Sequence, residues 1–92
     1  MSYQIEEVRV LSLGTTAATV ELGCLGFLLE NNSEEATVYF REKDADGANC
    51  TADNGYALLP GERTETVLAA RALSLVASAA ETDVRLLIVD GH

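Results

Sequence analysis

The chain has 92 residues, of which 48% are hydrophobic, and its 15 acidic against 6 basic side chains give a formal net charge of −9. This length allows one small domain, and this share of apolar residues excludes a disordered tail. The acidic balance argues against nucleic-acid binding and against an anionic membrane surface, because both would repel the chain.

No apolar stretch approaches the ~20 residues that a membrane span requires, and the first ten residues do not have the pattern of a secretory signal. We therefore expect the chain to be made in a reducing cytosol. In that compartment Cys24 and Cys50 are predicted to be free thiols, with Cys24 packed as a small hydrophobe in a strand.

Residues 1–13 are interpreted as an N-terminal arm or an edge strand, and residues 14–92 as a single domain. The apolar side chains of the first segment fall on both faces of an extended chain: Val8 and Val10 on one, Leu11 and Leu13 on the other. This distribution fits an edge strand or an arm that contacts a neighbouring subunit, and a short strand with a frayed terminus explains it equally well.

Two further segments show alternation of apolar and polar residues. Residues 15–22 alternate as a half-buried strand does. Residues 26–40 contain two alternating runs separated by the polar stretch 31–35, which predicts an antiparallel hairpin with one face inward. Its aromatic residues are expected in the core: Phe27, Tyr39 and Phe40.

The second half contains a polar loop at 42–55, a short strand at 56–59 that ends in the Pro60-Gly61 turn, and a last strand at 83–89. The last strand is apolar on both faces, because Leu87 and Val89 extend the second one. Such a strand is central in its sheet or is covered by a neighbouring subunit.

Residues 64–80 allow two interpretations. Their Ala- and Leu-rich composition and a helical apolar stripe favour a helix. The short strands spaced along the rest of the chain favour two strands, at 64–70 and 72–78.

The polar loop offers a weak match to a calcium-binding loop, in which oxygens at alternate positions converge on one cation. The matching residues are Glu42, Asp44, Asp46, Gly47 and Asp53. A solvated acidic loop is the alternative. Two distant cysteines and a single histidine, His92, supply neither a zinc site nor a catalytic base for a nucleophile, so we expect no enzyme activity and no cofactor.

Several strand and turn motifs together resemble a family of small β-sandwich structural proteins of tailed bacteriophages. The residues that carry the likeness are Gly26–Asn31 with Ser33, Val38–Tyr39, Asn54–Glu62, Ala72–Ser78 and Val84–Val89. The resemblance also favours strands over 64–80. The acidic loop departs from the family pattern.

The predicted fold is all-β, a compact antiparallel β-sandwich of about seven or eight short strands, jelly-roll-like or Ig-like. The resemblance implies a non-enzymatic virion protein, most simply a capsid decoration or cement protein that binds the major capsid protein and forms a homo-oligomer, with a trimer favoured. A neck, tail or fibre-associated module and a calcium-dependent ligand-binding module are the alternatives. The expected subunit or capsid interface consists of Val8, Val10, Leu11, Leu13, Leu87 and Val89.

Overall fold

The structure is a computed structural model that describes residues 4–23, 26–43 and 49–90. Within these ranges the chain forms eight strands in two four-stranded antiparallel sheets and contains no helix. The predicted all-β sandwich is therefore confirmed. The strands are β1 (Gln4–Leu13), β2 (Ala18–Glu21), β3 (Gly26–Asn31), β4 (Val38–Glu42), β5 (Tyr56–Leu58), β6 (Leu68–Ala69), β7 (Ala72–Ala77) and β8 (Thr82–Asp90).

The strand order is that of a jelly roll. The first sheet has the order β1-β8-β3-β6 and the second has the order β2-β7-β4-β5. The first four strands thus pair with the last four in reverse sequence, as a long antiparallel ribbon rolled across both sheets. An immunoglobulin fold groups its strands differently, so the jelly-roll alternative is the correct one.

The predicted hairpin over residues 26–40 is wrong, because its two strands lie in different sheets. Strand β3 pairs with β8 and β6, whereas β4 pairs with β7 and β5. The polar connection crosses from one sheet to the other around Asn31, which is completely buried. The Asn31 amide donates hydrogen bonds to the carbonyls of Ala36 (2.8 Å) and Leu58 (2.9 Å). Alternation alone could not separate a hairpin from this arch, since both have a polar turn between two half-buried strands.

The segment 64–80 forms strands β6 and β7, which confirms the strand interpretation. All six residues of β7 are buried, because β7 lies between β2 and β4 and both of its faces are covered. On the outer face, the Cys50 backbone N–H donates to the Ser74 hydroxyl at 2.8 Å, so the loop after β4 lies over this strand. A strand covered on both faces needs apolar residues at successive positions, and this composition also favours a helix.

The core lies between the sheets and is built from alternate residues of the central strands. Its most buried large side chains are Phe27, Leu29, Leu73, Leu75, Val38, Val84 and Leu86. Strand β8 is central in the first sheet, which is one of the two explanations that its apolar faces allowed. Strand β1 pairs with β8 from Gln4 to Leu13, with one register shift between Ile5 and Glu7, and therefore forms an edge strand of the sandwich.

Candidate interaction surfaces

The outer face of the first sheet carries an apolar row that crosses three strands. Val8 of β1 lies opposite Leu87 of β8, and Leu87 lies opposite Leu28 of β3. Directly paired residues in antiparallel strands point to the same face, so the three side chains are neighbours. Val8 is 53% exposed, and Leu28 and Leu87 are half-buried. We call these three residues the outer row.

A second row, of one apolar and two charged residues, lies beside the outer row. Val10, which is 64% exposed, lies opposite Arg85, and Arg85 lies opposite Glu30. The Arg85 guanidinium donates two hydrogen bonds of 3.1 Å to Asp83, and the Asn32 amide donates a third of 2.9 Å. These bonds favour the carboxylate, and they lower the pKa of Asp83 below its ordinary value.

The structure divides the predicted interface residues into two groups. Leu13 and Val89 are 4% and 1% exposed, and Leu11 packs against the core. A partner that docks on the folded domain therefore cannot reach the side chains of Leu13 and Val89. The other three, Val8, Val10 and Leu87, lie together on the outer face of the first sheet.

Val89 is buried although it points to the outer face, and the reason is a close approach at Gly26. A Cβ atom at Gly26 would lie 2.9 Å from Cγ1 of Val67 and 3.1 Å from Cγ2 of Val89. The Val67 and Val89 side chains therefore meet over the glycine. The segment before β6 closes this end of the outer face, and the outer row begins beside it.

The outer edge of β1 is a second feature of this region. Among the described residues no strand pairs with this edge, which is the longest sheet edge that they form. On the inward face of the strand, the Arg9 guanidinium forms an ion pair with Glu7, with 2.9 Å between Nε and Oε2. Both side chains are partly exposed, so the second sheet does not cover this part of β1.

A separate apolar groove opens between the two sheets at their other side, and we call it the β5–β6 groove. The short strands β5 and β6 do not close the sandwich there, and the opening has a volume of about 760 Å³. Tyr56 is 76% exposed, and its ring lies 6.0 Å from that of Phe40 between centroids. Other residues that line the groove are Phe27, Leu68, Leu73, Arg41 and Glu42.

Three apolar residues of these two surfaces were not among the predicted interface residues: Leu28, Tyr56 and Leu68. Leu28 could have been found only from the register, because its neighbour in space, Leu87, is 59 positions away in the sequence. Tyr56 and Leu68 belong to strands of three and two residues, in which no alternation can be read.

The predicted calcium loop lies largely outside the described residues, including Asp44, Asp46 and Gly47. Glu42 and Asp53 are described, and both are exposed. In the described part of the chain, no group of three or more His, Cys, Asp or Glu side chains is arranged to hold a metal ion. Calcium binding therefore stays a prediction.

Cys50 is a free thiol, and it is 2% exposed. Burial raises the pKa of the Cys50 thiol, and the nearby Arg41 charge only partly offsets this. A raised pKa leaves little of the nucleophilic thiolate near neutral pH. Cys24 and His92 lie outside the described residues.

The described residues also contain no helix that could cross a membrane. In the comparison with known proteins, no family model, no curated protein and no solved structure matches this chain.

Proposed function

We propose that this protein is a non-enzymatic structural component of a tailed-bacteriophage virion that decorates the capsid and stabilises the assembled shell. The observation that carries the proposal is that a single small jelly roll exposes apolar side chains on two separate surfaces, the outer row and the β5–β6 groove. Exposed apolar side chains that cluster in this way are typical of surfaces that bind other proteins.

The physical advantage of such a protein comes from mass action. A domain that binds the assembled lattice but not the free subunits stabilises the lattice by its binding free energy. Docking where capsid subunits meet would let one small domain contact two neighbours at once. The major capsid protein is therefore the proposed partner, and virions are the proposed location.

Two further observations support the proposal by analogy. Jelly rolls recur in viral capsid proteins, although a fold alone does not define a function. The strand and turn motifs that resemble phage β-sandwich proteins lie in β3, β4, β5, β7 and β8, which together build both sheets.

The β5–β6 groove is the surface that we assign to the shell. It is concave and combines an exposed tyrosine, Tyr56, with apolar walls and two charged residues, Arg41 and Glu42. Tyrosine and arginine are enriched among the residues that dominate binding energy at protein interfaces. Because the chain carries a net charge of −9, a basic capsid surface would steer its approach, and binding should weaken as salt is added.

The proposal is tested by mixing the protein with expanded, undecorated capsids and measuring the bound amount after sedimentation. We expect saturation at a fixed ratio to the capsid subunits. The Tyr56→Glu variant should bind at least about tenfold more weakly, since it places a charge in the groove. The matched control is Leu59→Glu, which adds the same charge at a side chain that is 54% exposed and does not line the groove.

Absence of saturable binding by the wild-type protein would reject the decoration function. Equal loss of binding in both variants would reject the assignment of the groove. The calcium-dependent alternative is tested by thermal unfolding with and without calcium, and an unchanged midpoint would remove it.

A further inference from the structure

We infer that the protein forms a twofold dimer in which the outer edge of β1 pairs with β1 of a second copy, centred on Val8. This inference goes beyond the proposed function and does not depend on it. An open sheet edge presents unpaired backbone N–H and C=O groups that can pair with another strand. The ten-residue β1 is the longest such edge in the described part of the chain, where the other sheet edges are β2, β5 and β6, with four, three and two residues.

The symmetry of a joined edge restricts the possible registers. Two copies of β1 that pair about a twofold axis perpendicular to the sheet run antiparallel, and paired residues share a face. The axis must therefore pass between the two copies of one residue, which we call an axis at that residue. Residues equally far before and after that residue then become partners. The register shift between Ile5 and Glu7 leaves Glu7–Leu13 as the regular part of the strand.

The charges of β1 select one of these registers. Only an axis at Val8 places Glu7 opposite Arg9 of the second copy, and Arg9 opposite Glu7. An axis at Arg9 would bring two guanidinium groups together. An axis at Val10 or at Leu11 would leave Arg9 opposite an apolar residue. Opposite charges directly across an antiparallel pair are stabilising, and like charges there are destabilising.

The same register gives a continuous apolar surface on the outer face. Val8 would lie against Val8 of the second copy, and each Val8 already lies beside Leu87, which lies beside Leu28. The outer rows of the two copies would therefore join into one row across the axis. On the inward face, the existing ion pair between Glu7 and Arg9 would become a network of four charges.

This twofold dimer differs from the trimer that the resemblance favours. A threefold contact is heterologous and would require β1 to meet a different surface of the next copy. Each of the other edges formed by the described residues is too short to pair along β1. The self-complementary charge pattern Glu7-Val8-Arg9 can act only in a twofold arrangement.

The test is a charge exchange followed by sedimentation equilibrium at about 0.15 M salt, where surface charges farther apart than about 8 Å are screened. We expect the wild-type protein to be a dimer. Glu7→Arg alone and Arg9→Glu alone should each dissociate at least about tenfold more readily, because every cross-strand pair becomes a pair of like charges. The double variant Glu7→Arg/Arg9→Glu should recover the dimer.

An equimolar mixture of the two single variants is the decisive sample. At positions 7 and 9 the first variant carries two arginines and the second carries two glutamates, so only a mixed dimer has complementary pairs at these positions. The intrachain ion pair is lost in both variants, so dimer formation in the mixture cannot be explained by the stability of the separate chains. The backbone fold of each variant is checked by circular dichroism.

The Val8→Glu variant gives an independent test, since it would place two carboxylates together at the axis. We expect it to be monomeric, whereas Leu59→Glu, with a nearly equal exposed fraction of 54% against 53%, should remain dimeric. A monomeric or trimeric wild-type protein would overturn the inference. A mixture of the single variants that remains monomeric would overturn it as well.

Discussion

Asn31 is expected to be the polar side chain on which the fold depends most, and Asn31→Asp is the perturbation that tests this. The Asn31 Nδ2 atom donates to the carbonyls of Ala36 and Leu58, and Oδ1 accepts from the Ser33 backbone N–H (3.1 Å) and hydroxyl (2.6 Å). The Asp side chain has nearly the same shape and keeps the two acceptor contacts. It loses both donated bonds and places a buried negative charge against two carbonyl oxygens.

The expected loss of unfolding free energy at pH 7 is about 4 kcal/mol. A buried charge that is left without a compensating partner costs about 3–5 kcal/mol of stability. This cost includes the two lost hydrogen bonds, which contribute about 1 kcal/mol each. A chain of this length has a total stability of about 5–14 kcal/mol. With an m-value of about 1.3 kcal/mol/M, the urea midpoint should fall by about 3 M.

Urea unfolding followed by circular dichroism measures this loss, with Asn32→Asp as the control. Asn32 is the next residue, is exposed, and donates only to Asp83, so the same chemical change should cost at most about 1 kcal/mol. Burial raises the pKa of the carboxyl that Asn31→Asp introduces, so its folded form binds a proton more readily than the unfolded form. The deficit relative to wild type should therefore shrink as the pH falls from 7 towards 4. A loss below about 1 kcal/mol at pH 7 would refute the role of Asn31 in the arch.

Three further outcomes are expected. Gly55→Ala should lower the free energy of unfolding in urea by about 2 kcal/mol, because the new Cβ would collide with Cys50 Sγ and lie 3.1 Å from Cβ of Tyr39. The control Gly14→Ala should cost little, because a Cβ at Gly14 would have nothing within 4 Å. Equal effects of the two variants would contradict the packing around Gly55. Glu81→Gly should raise the thermal midpoint by about 2–4 °C, because Glu81 has a φ of 57°, a conformation that is strained for residues with a Cβ but not for glycine. Glu81→Ala keeps the Cβ and should not raise the midpoint. No difference between the two variants would argue against strain in this turn. Asp83 has a lowered folded pKa, so its contribution is present above the ordinary value of 3.8 and is lost as the pH falls through the folded value. The stability difference between wild type and Asp83→Asn should therefore shrink between pH 5 and pH 2, and a constant difference would contradict the hydrogen bonds from Arg85 and Asn32.

The sequence predicted the individual strands better than it predicted how they pair. Alternation identified β3, β4 and β8, because a half-buried strand shows its two faces directly in the residue pattern. The Pro60-Gly61 turn was also identifiable, and in the structure Gly61 has a φ of 80° and the Glu62 N–H donates to the Leu59 carbonyl at 2.9 Å.

The pairing of the strands could not be predicted from these local patterns. In a jelly roll, most neighbours in the sheets are distant in sequence, as β1 and β8 are, whereas sequence patterns report only on neighbours in the chain. The burial of Asn31 has the same origin, since one of its partners, Leu58, is 27 residues away.

The predicted interface was half accessible for a related reason. Alternation placed Val8 and Val10 together on one face of β1, and the structure leaves both exposed. It could not show that Val67 would fold over Gly26 and cover Val89, because Val67 is 41 residues from Gly26 and 22 residues from Val89 in the sequence.

The proposal that this protein decorates a phage capsid is tested most directly by its copy number in purified virions from a source whose genome contains its coding sequence. Quantitative mass spectrometry would give the molar ratio of this chain to the major capsid protein. We predict a molar ratio close to a simple fraction, because each equivalent site of the capsid lattice would bind a fixed number of copies. A few copies per particle would instead indicate a neck, tail or fibre component, and absence from the virion would contradict the account.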